Sequence, residues 1–243
     1  MYAVRIINNR AYVVTYERMD PLYVIDLSDT ADPLVLGELE IPGVSNYLHP
    51  IGDNLLLGIG LDGTDDVNSE WSGWFRGVKV ALFDVTDPVN PVELKQYLIG
   101  DRGSHSQAQH NHKAVAFLKG NSERPHRLAL PVSVSKVTDN GVYVCETHEC
   151  TTNELGSYGF PEYGDRIHRG LYLFEISEEA LHGENLLSWK GSVIDESSDK
   201  VYFASQERAV IQSSALHYVC ENGLYSTPWA EPDNTNYLEF GSL

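Results

Sequence analysis

Residues 22–39 read LYVIDLSDTADPLVLGEL, and residues 80–97 read VALFDVTDPVNPVELKQY, the same pattern 58 positions further along the chain. The turn residues of the two stretches align as Asp26 with Asp84, Ser28 with Thr86, Asp29 with Asp87, Asp32 with Asn90, and Pro33 with Pro91. Repeats of this length are typical of units that cannot bury their own apolar face and must stack on neighbouring copies. The sequence therefore predicts a repeat architecture.

Outside this repeat, short runs rich in Val, Ile, Leu and Tyr alternate with Gly, Asn, Asp and Pro. This alternation is typical of strands joined by turns, and four strands per unit is the count of a propeller blade. We predict an all-β fold in which residues 1–243 form a single β-propeller of four-stranded antiparallel blades. The predicted blades are residues 1–43, 44–104, 105–197 and, for the start of a fourth, 198–243.

About three and a half blades make only a partial ring, because closed propellers have roughly 4–8 blades. Such a piece leaves two blade faces and a strand edge without partners. The chain is therefore expected to be the C-terminal part of a longer domain. The alternative is that a second copy completes the ring.

The charge balance excludes several partners. Asp and Glu number 35 against 17 Lys and Arg, a formal net charge of -18, which repels nucleic acids and anionic lipid surfaces.

No apolar run approaches the ~20 residues of a membrane helix, so we expect no membrane insertion. Met1 leads straight into a strand-like pattern instead of a signal peptide, so any export signal is expected upstream of it.

The repeated Asp-rich turns have two interpretations. Asp, Ser and Thr side chains satisfy backbone groups in tight turns, and the proline delays the next strand by removing a donor. Calcium binding is the alternative for so many carboxylates. The turn interpretation is favoured because each unit carries the pattern where a turn is required.

At these residues the chain resembles the secreted bacterial and archaeal β-propeller domain proteins, distant relatives of WD repeats. The resemblance rests on RAYVVTY at 10–16, YLHPIGD at 47–53, IGDRG at 99–103, HKA at 112–114 and SALHY at 214–218. It implies an extracellular or cell-surface location and names no reaction. Residues 134–168 depart from it as an insertion, and after Tyr225 the usual final strands are not recognisable.

Loop lengths point to one face. The long connections at residues 17–21, 41–47, 61–75, 100–111 and 134–168 are predicted to share a side of the blades, opposite short turns such as 52–54 and 221–223. Binding residues concentrate on long loops held by a rigid scaffold. We therefore predict a protein or carbohydrate partner on the long-loop side, with Arg102, Trp71 and Trp74 among its contacts; the two tryptophans could instead cover the blade edge.

Alignment of the predicted innermost strands places His49, His112 and His217 at equivalent positions, with Arg5 in the first blade. Innermost strands line a propeller's central channel, so these side chains are expected to ring its mouth on the long-loop side. Imidazoles gathered there could hold a divalent metal ion or, when protonated, an anion. Alternatively, each histidine bonds the backbone of the neighbouring blade.

Two further sites are weaker. Asp62, Asp65 and Asp66 supply hard oxygen ligands for calcium but lack the EF-hand order. Cys145 and Cys150 are close enough in sequence to form a disulfide that fastens the insertion, and metal binding with His148 is the alternative. Cys220 lies outside that pair.

The preferred function is a non-catalytic binding or scaffold module. The alternative is a metal-dependent hydrolase or lyase with the histidine site at the channel mouth, since propeller enzymes build sites from scattered residues that leave no motif. In that case Arg5 or Arg102 would stabilise an anion, and Asp101 or Glu17 would serve as the acidic partner.

Overall fold

The computed structural model describes residues 3–15, 20–63, 75–137, 163–178, 183–196 and 207–241. Within these ranges the chain is almost entirely strand and turn. The described helical structure consists of short 3-10 segments, none of them long and apolar enough to cross a bilayer. The predicted all-β class is confirmed.

Antiparallel strands form four sheets, each built in chain order. The first sheet contains β1 (Ala3–Ile7), β2 (Arg10–Val14), β3 (Asp20–Asp26) and β4 (Leu34–Ile41). The second sheet contains β5 (Val44–Ile51), β6 (Leu55–Gly63), β7 (Phe75–Asp84) and β8 (Val92–Ile99).

The third sheet contains β9 (His105–Ser106), β10 (Ala116–Leu118), β11 (His126–Lys136), β12 (Asp165–Ile176) and β13 (Leu187–Ile194). The fourth sheet contains β14 (Arg208–Ile211), β15 (Ala215–Val219), β16 (Gly223–Pro228) and β17 (Asn236–Glu239). Each sheet contacts the next one along the chain, and the described sheets do not close a ring. This is the partial propeller that the repeat predicts.

The fourth sheet is larger than the sequence suggested. Its four strands replace the expected half blade, because β14 precedes the apolar run Ala215–Val219, and β17 follows the segment in which no final strand was recognisable. Both added strands have only four residues, and all of β17 is exposed, so neither carries a strong apolar pattern.

The inner strand of the third sheet is interrupted. Both β9 and β10 pair with β11, and between them lie two 3-10 turns, η1 (Gln107–Gln109) and η2 (His112–Ala114). Ser106 caps η1 by accepting a hydrogen bond from the amide of Ala108, and Ala108 and Ala114 are buried. This excursion packs against the second and fourth sheets.

The repeat found in the sequence is also a repeat of backbone detail. The pairing of β3 with β4 shifts register at Val24/Ile25, and the pairing of β7 with β8 shifts at Leu82/Phe83, 58 residues later. In the turns that follow, Asp26 Oδ1 accepts the Ser28 amide at 2.9 Å and Asp84 Oδ1 accepts the Thr86 amide at 2.8 Å. These contacts support the turn interpretation of the repeated aspartates.

The core lies between successive sheets. Each strand alternates its side chains between the preceding and the following sheet, as the two-residue period of a strand requires. Tyr12, Leu22 and Phe83 pack between sheets one and two; Leu57, Leu130 and Phe174 between two and three. Leu173, Tyr218 and Trp229 pack between sheets three and four.

Candidate functional site

The first strands of the sheets bring side chains together along the inner edge of the molecule. Arg5 lies on β1, and His49 lies on the neighbouring β5. The charge of Arg5 acts on the titration of both Tyr47 and His49, so the three side chains form one cluster. Of the four predicted ring residues, the structure brings together these two, Arg5 and His49.

His49 is held between aromatic neighbours. Its Nδ1 lies 3.0 Å from the hydroxyl oxygen of Tyr47, and its ring centroid lies 4.3 Å from that of Phe117 on β10. Burial, followed by the electrostatic effects of Arg5 and His126, lowers the pKa of His49 from 6.5 to about 4. The imidazole is therefore neutral near neutral pH.

His126, which the sequence analysis did not single out, completes the cluster from the third sheet. It stacks on Phe117 with 5.5 Å between ring centroids, and its Nε2 lies 2.7 Å from Oε1 of Glu178. The amide of Gly120 donates to Nδ1 at 3.2 Å, so both ring nitrogens are engaged and Nε2 carries the proton. Fifty-two positions separate His126 from Glu178, and no local motif indicates the pair.

A groove of about 640 Å³ runs along this inner edge beside the cluster. We call it the inner-edge groove, and it is lined by Val4, Arg5, Ile6, Ile7, Pro50, Gly52, Asp53 and Lys119. Two of its lining residues are cationic and one is anionic, in a chain whose formal net charge is -18. The groove is therefore a local positive region on an acidic molecule.

The inner-edge groove lies on the short-turn side, which corrects the predicted position of the channel mouth. Because β5 begins at Val44, His49 is close to the end of its strand and to the turn after Ile51. Gly52 and Asp53 of that turn line the groove. The short turn predicted at residues 221–223 lies at 220–222 and on the long-loop side. It joins the second and third strands of its sheet, as the long loops do.

The predicted ring of three histidines is wrong. His112 lies in η2 and is exposed, because the inner strand of the third sheet is interrupted there. His217 lies on β15, the second strand of its sheet, where Nδ1 is 2.9 Å from the Ser226 hydroxyl. Among the residues that the structure describes, no group of three or more His, Cys, Asp or Glu side chains could hold a metal ion.

Little of the predicted long-loop site falls within the described residues. Arg102 lies over the ring of Tyr163, 4.1 Å from its centroid, and Asp101 accepts the amide of Val137 at 2.9 Å. The Asp62 carboxylate is buried and lies 2.8 Å from the guanidinium of Arg76, an ion pair in place of the suggested calcium contact. Outside the described residues lie Trp71, Trp74, Asp65, Asp66, Cys145 and Cys150.

Comparison with known proteins agrees with this architecture. A family model described as "Beta propeller domain" matches residues 1–231. The chain is a member of this propeller family. Its four stacked sheets are thus propeller blades.

Two archaeal relatives are similar to this propeller chain. An uncharacterised protein of Methanocaldococcus jannaschii is 38% identical over 189 residues, which cover 76% of this chain and 26% of the relative. An uncharacterised protein of Archaeoglobus fulgidus is 35% identical over 111 residues, covering 46% of this chain and 16% of the relative. The chain thus spans no more than about a quarter of the length of these relatives.

A buried ionic cluster joins the third and fourth blades of the propeller. Nε of Arg169 on β12 donates to Asp195 at 2.8 Å and lies 3.1 Å from Glu207. The hydroxyl of Tyr225 on β16 donates to the other oxygen of Asp195 at 3.1 Å. Burial raises the pKa of Glu207, while Arg169 acts in the opposite direction. These residues come from four separate segments, and nothing in their local sequence indicates that they meet.

Proposed function

We propose that this propeller chain is a non-catalytic binding module that holds a small carboxylate ligand in the inner-edge groove. The observation that carries the proposal is the presence of Arg5 and Lys119 on one groove of a strongly acidic chain. Cationic side chains on an otherwise acidic chain repel cations locally and attract anions.

The groove chemistry fits a ligand with one negative charge. Arg5 offers a planar fork of donors that matches a carboxylate, and Lys119 adds a second positive charge. Asp53 on the same groove offsets one of these charges, leaving a formal excess of about one positive charge. Ile7 and Pro50 provide apolar contacts for the carbon skeleton of the ligand.

The neighbouring histidines support binding over proton transfer. His126 has both nitrogens engaged, by Gly120 and by Glu178. His49 has a pKa of about 4, far below the ordinary range for an imidazole, so it adds hydrogen-bonding capacity without adding charge. A general acid or base works best when its pKa is near the operating pH, and the His49 imidazole does not meet that condition.

Titration with glucuronate and glucose tests the proposal, because the two sugars differ in a carboxylate. We expect chemical-shift changes at the inner-edge groove with glucuronate and none with glucose. Arg5→Gln and Lys119→Gln should each weaken glucuronate binding about 10- to 100-fold, the effect of one charge-assisted hydrogen bond.

Lys95→Gln is the matched control, since Lys95 lies on β8, the outer strand of the second sheet. It removes the same charge without touching the groove and should leave binding unchanged. Equal shifts with both sugars, or equal losses in all three variants, would contradict the proposal.

We further propose the long-loop side as the surface for a protein or carbohydrate partner of an extracytoplasmic propeller. Support comes from the Arg102–Tyr163 pair, in which Tyr163 is 73% exposed, since exposed aromatic and arginine side chains are enriched at binding surfaces. Surface proteolysis of intact source cells tests the location. Digestion of the chain is expected, and full protection in intact cells with digestion after lysis would refute it.

A further inference from the structure

The first and the last of the described sheets each have one face that no other described sheet covers. Strand alternation assigns Leu216, Tyr218 and Tyr225 of the fourth sheet to the interface with the third. Val210, His217, Leu224 and Leu238 then lie on the opposite face of the fourth sheet, where no described sheet covers them.

That outer face of the fourth sheet carries exposed apolar side chains beside the polar His217, Ser226 and Asn236. Val210 is 52% exposed and Leu238 is 61% exposed. At its centre, His217 and Ser226 form a cross-strand pair joined by a 2.9 Å hydrogen bond. Each of the two side chains therefore has one polar atom hydrogen-bonded within the face. Covering the face would leave these two atoms paired with each other.

The first sheet has a matching outer face. Tyr12, Leu22 and Val24 pack towards the second sheet, so Val4, Ile6 and Val35 lie on the other side. These three side chains are 44%, 60% and 61% exposed. Contiguous apolar surface of this kind marks an interaction site on a soluble protein.

We propose that these two faces bind each other between two copies of this chain, the fourth sheet of one copy packing on the first sheet of its partner. The same sheet-on-sheet packing already occurs three times within the chain, and the new contact continues it. Two copies of four sheets make eight, at the upper end of the ~4–8 blades that close a propeller.

Closure follows from the symmetry of the pair. A head-to-tail contact is heterologous, and it ends growth only when the last copy meets the first. With two copies, the outer faces of the first and fourth sheets are covered in both chains. The pairing also places β14 of the partner beside β1, so the inner-edge groove, which β1 lines, is completed by the second copy.

Light scattering coupled to size-exclusion chromatography tests the pairing without any ligand, so its result is separate from the sugar titration. The expected mass is about twice 27.1 kDa. Ile6→Lys on the first outer face and Val210→Glu on the fourth should each give the monomer mass, because a charge is buried unpaired in both contacts of the pair. Both positions are exposed in the single chain, and circular dichroism checks that the variants are folded.

Mixing the two variants gives the sharpest test. In a head-to-tail pair of Ile6→Lys with Val210→Glu, one contact is unaltered and the other places opposite charges on the two faces. We therefore expect the mixture to regain the dimer mass, while Val92→Lys, at an exposed position on β8, leaves the dimer intact throughout. A monomeric parent chain, dimers in both single variants, or no recovery on mixing would overturn the proposal.

Discussion

The indole nitrogen of Trp229 donates a 2.8 Å hydrogen bond to Oε1 of Glu175, and this bond ties the fourth sheet to the third. Trp229 is 1% exposed, and the guanidinium of Arg127 lies 4.8 Å from its ring centroid. The segment after β16, which has no recognisable strand pattern in sequence, is therefore anchored by a buried aromatic side chain rather than being a frayed end.

Trp229→Ala should lower the free energy of unfolding by about 3–5 kcal/mol, because it removes a large buried side chain and leaves a cavity. Trp229→Phe keeps an aromatic ring but removes the hydrogen-bond donor to Glu175. We expect it to lower the free energy of unfolding by about 1–2 kcal/mol. Urea unfolding followed by circular dichroism measures both. Trp189→Ala is the control: Trp189 is 49% exposed, and a loss as large as that of Trp229→Ala would contradict this account.

Arg169→Met should destabilise the fold by about 3–5 kcal/mol, because it leaves the carboxylates of Asp195 and Glu207 buried without their cation. Lys190→Met provides the comparison. Lys190 pairs with Glu175 at 3.6 Å at the surface, where an ion pair contributes less than about 1 kcal/mol. Similar losses of unfolding free energy in the two variants would show that the Arg169 cluster is not the stabilising contact inferred here.

Stability should depend on pH through His49. Its folded pKa, about 4, is below the ordinary 6.5, so the unfolded chain takes up this proton first as the pH falls. The contribution of His49 to stability is therefore complete above pH 6.5 and declines as the pH falls towards 4. The full shift would be worth about 3 kcal/mol, and partial exposure of the ring reduces the expected change to about 1–2 kcal/mol.

Other groups titrate over the same interval, so the difference between the parent chain and His49→Gln isolates this effect. Denaturant unfolding at several pH values should show the parent chain losing stability relative to the variant as the medium is acidified. Parallel curves for the two proteins would refute the role of His49.

Asp26→Ala and Asp84→Ala should each lower the free energy of unfolding by about 0.5–1.5 kcal/mol. Each substitution removes the acceptor of one backbone amide in equivalent turns. Losses of similar size are expected because the two turns share the amide contact, although Asp26 also accepts the Ser28 hydroxyl. Thermal unfolding with and without millimolar calcium completes the experiment. A calcium-dependent rise in melting temperature that either substitution abolishes would favour the metal interpretation of these aspartates.

Added salt should stabilise the fold. A net charge of -18 makes the compact state repel itself, and this repulsion is screened as the Debye length falls from ~30 Å at 0.01 M to ~8 Å at 0.15 M ionic strength. Calorimetry should show the melting temperature rising with NaCl and by the same amount with KCl. A decrease, or a rise with one of the two salts alone, would argue against general screening.

The parts of the fold that sequence predicts are those with local causes. The aspartate turns and prolines of the first two sheets act within a few residues, so the repeat at residues 22–39 and 80–97 predicts them correctly. β14 and β17 were missed because each has four residues, too few to show a reliable period, and β17 is exposed on both faces.

The candidate site was predicted less well, because its contacts connect distant segments. Arg5 and His49 lie on the first strands of neighbouring sheets and interact, but at the short-turn side and not at the predicted long-loop side. His126 and Glu178 meet across 52 positions, and Arg169 reaches Asp195 across 26. The interruption at η1 and η2 removes His112 from the inner strand, and a short 3-10 excursion leaves no hydrophobic period from which it could be predicted.

The register shift shared by Val24/Ile25 and Leu82/Phe83 has a practical consequence for engineering. Since the register shift and the turn that follows it recur at one spacing, we expect the 58-residue span to act as an exchangeable cassette. Splicing a third cassette between the first two should therefore lengthen the array by one whole blade without redesigning its joints.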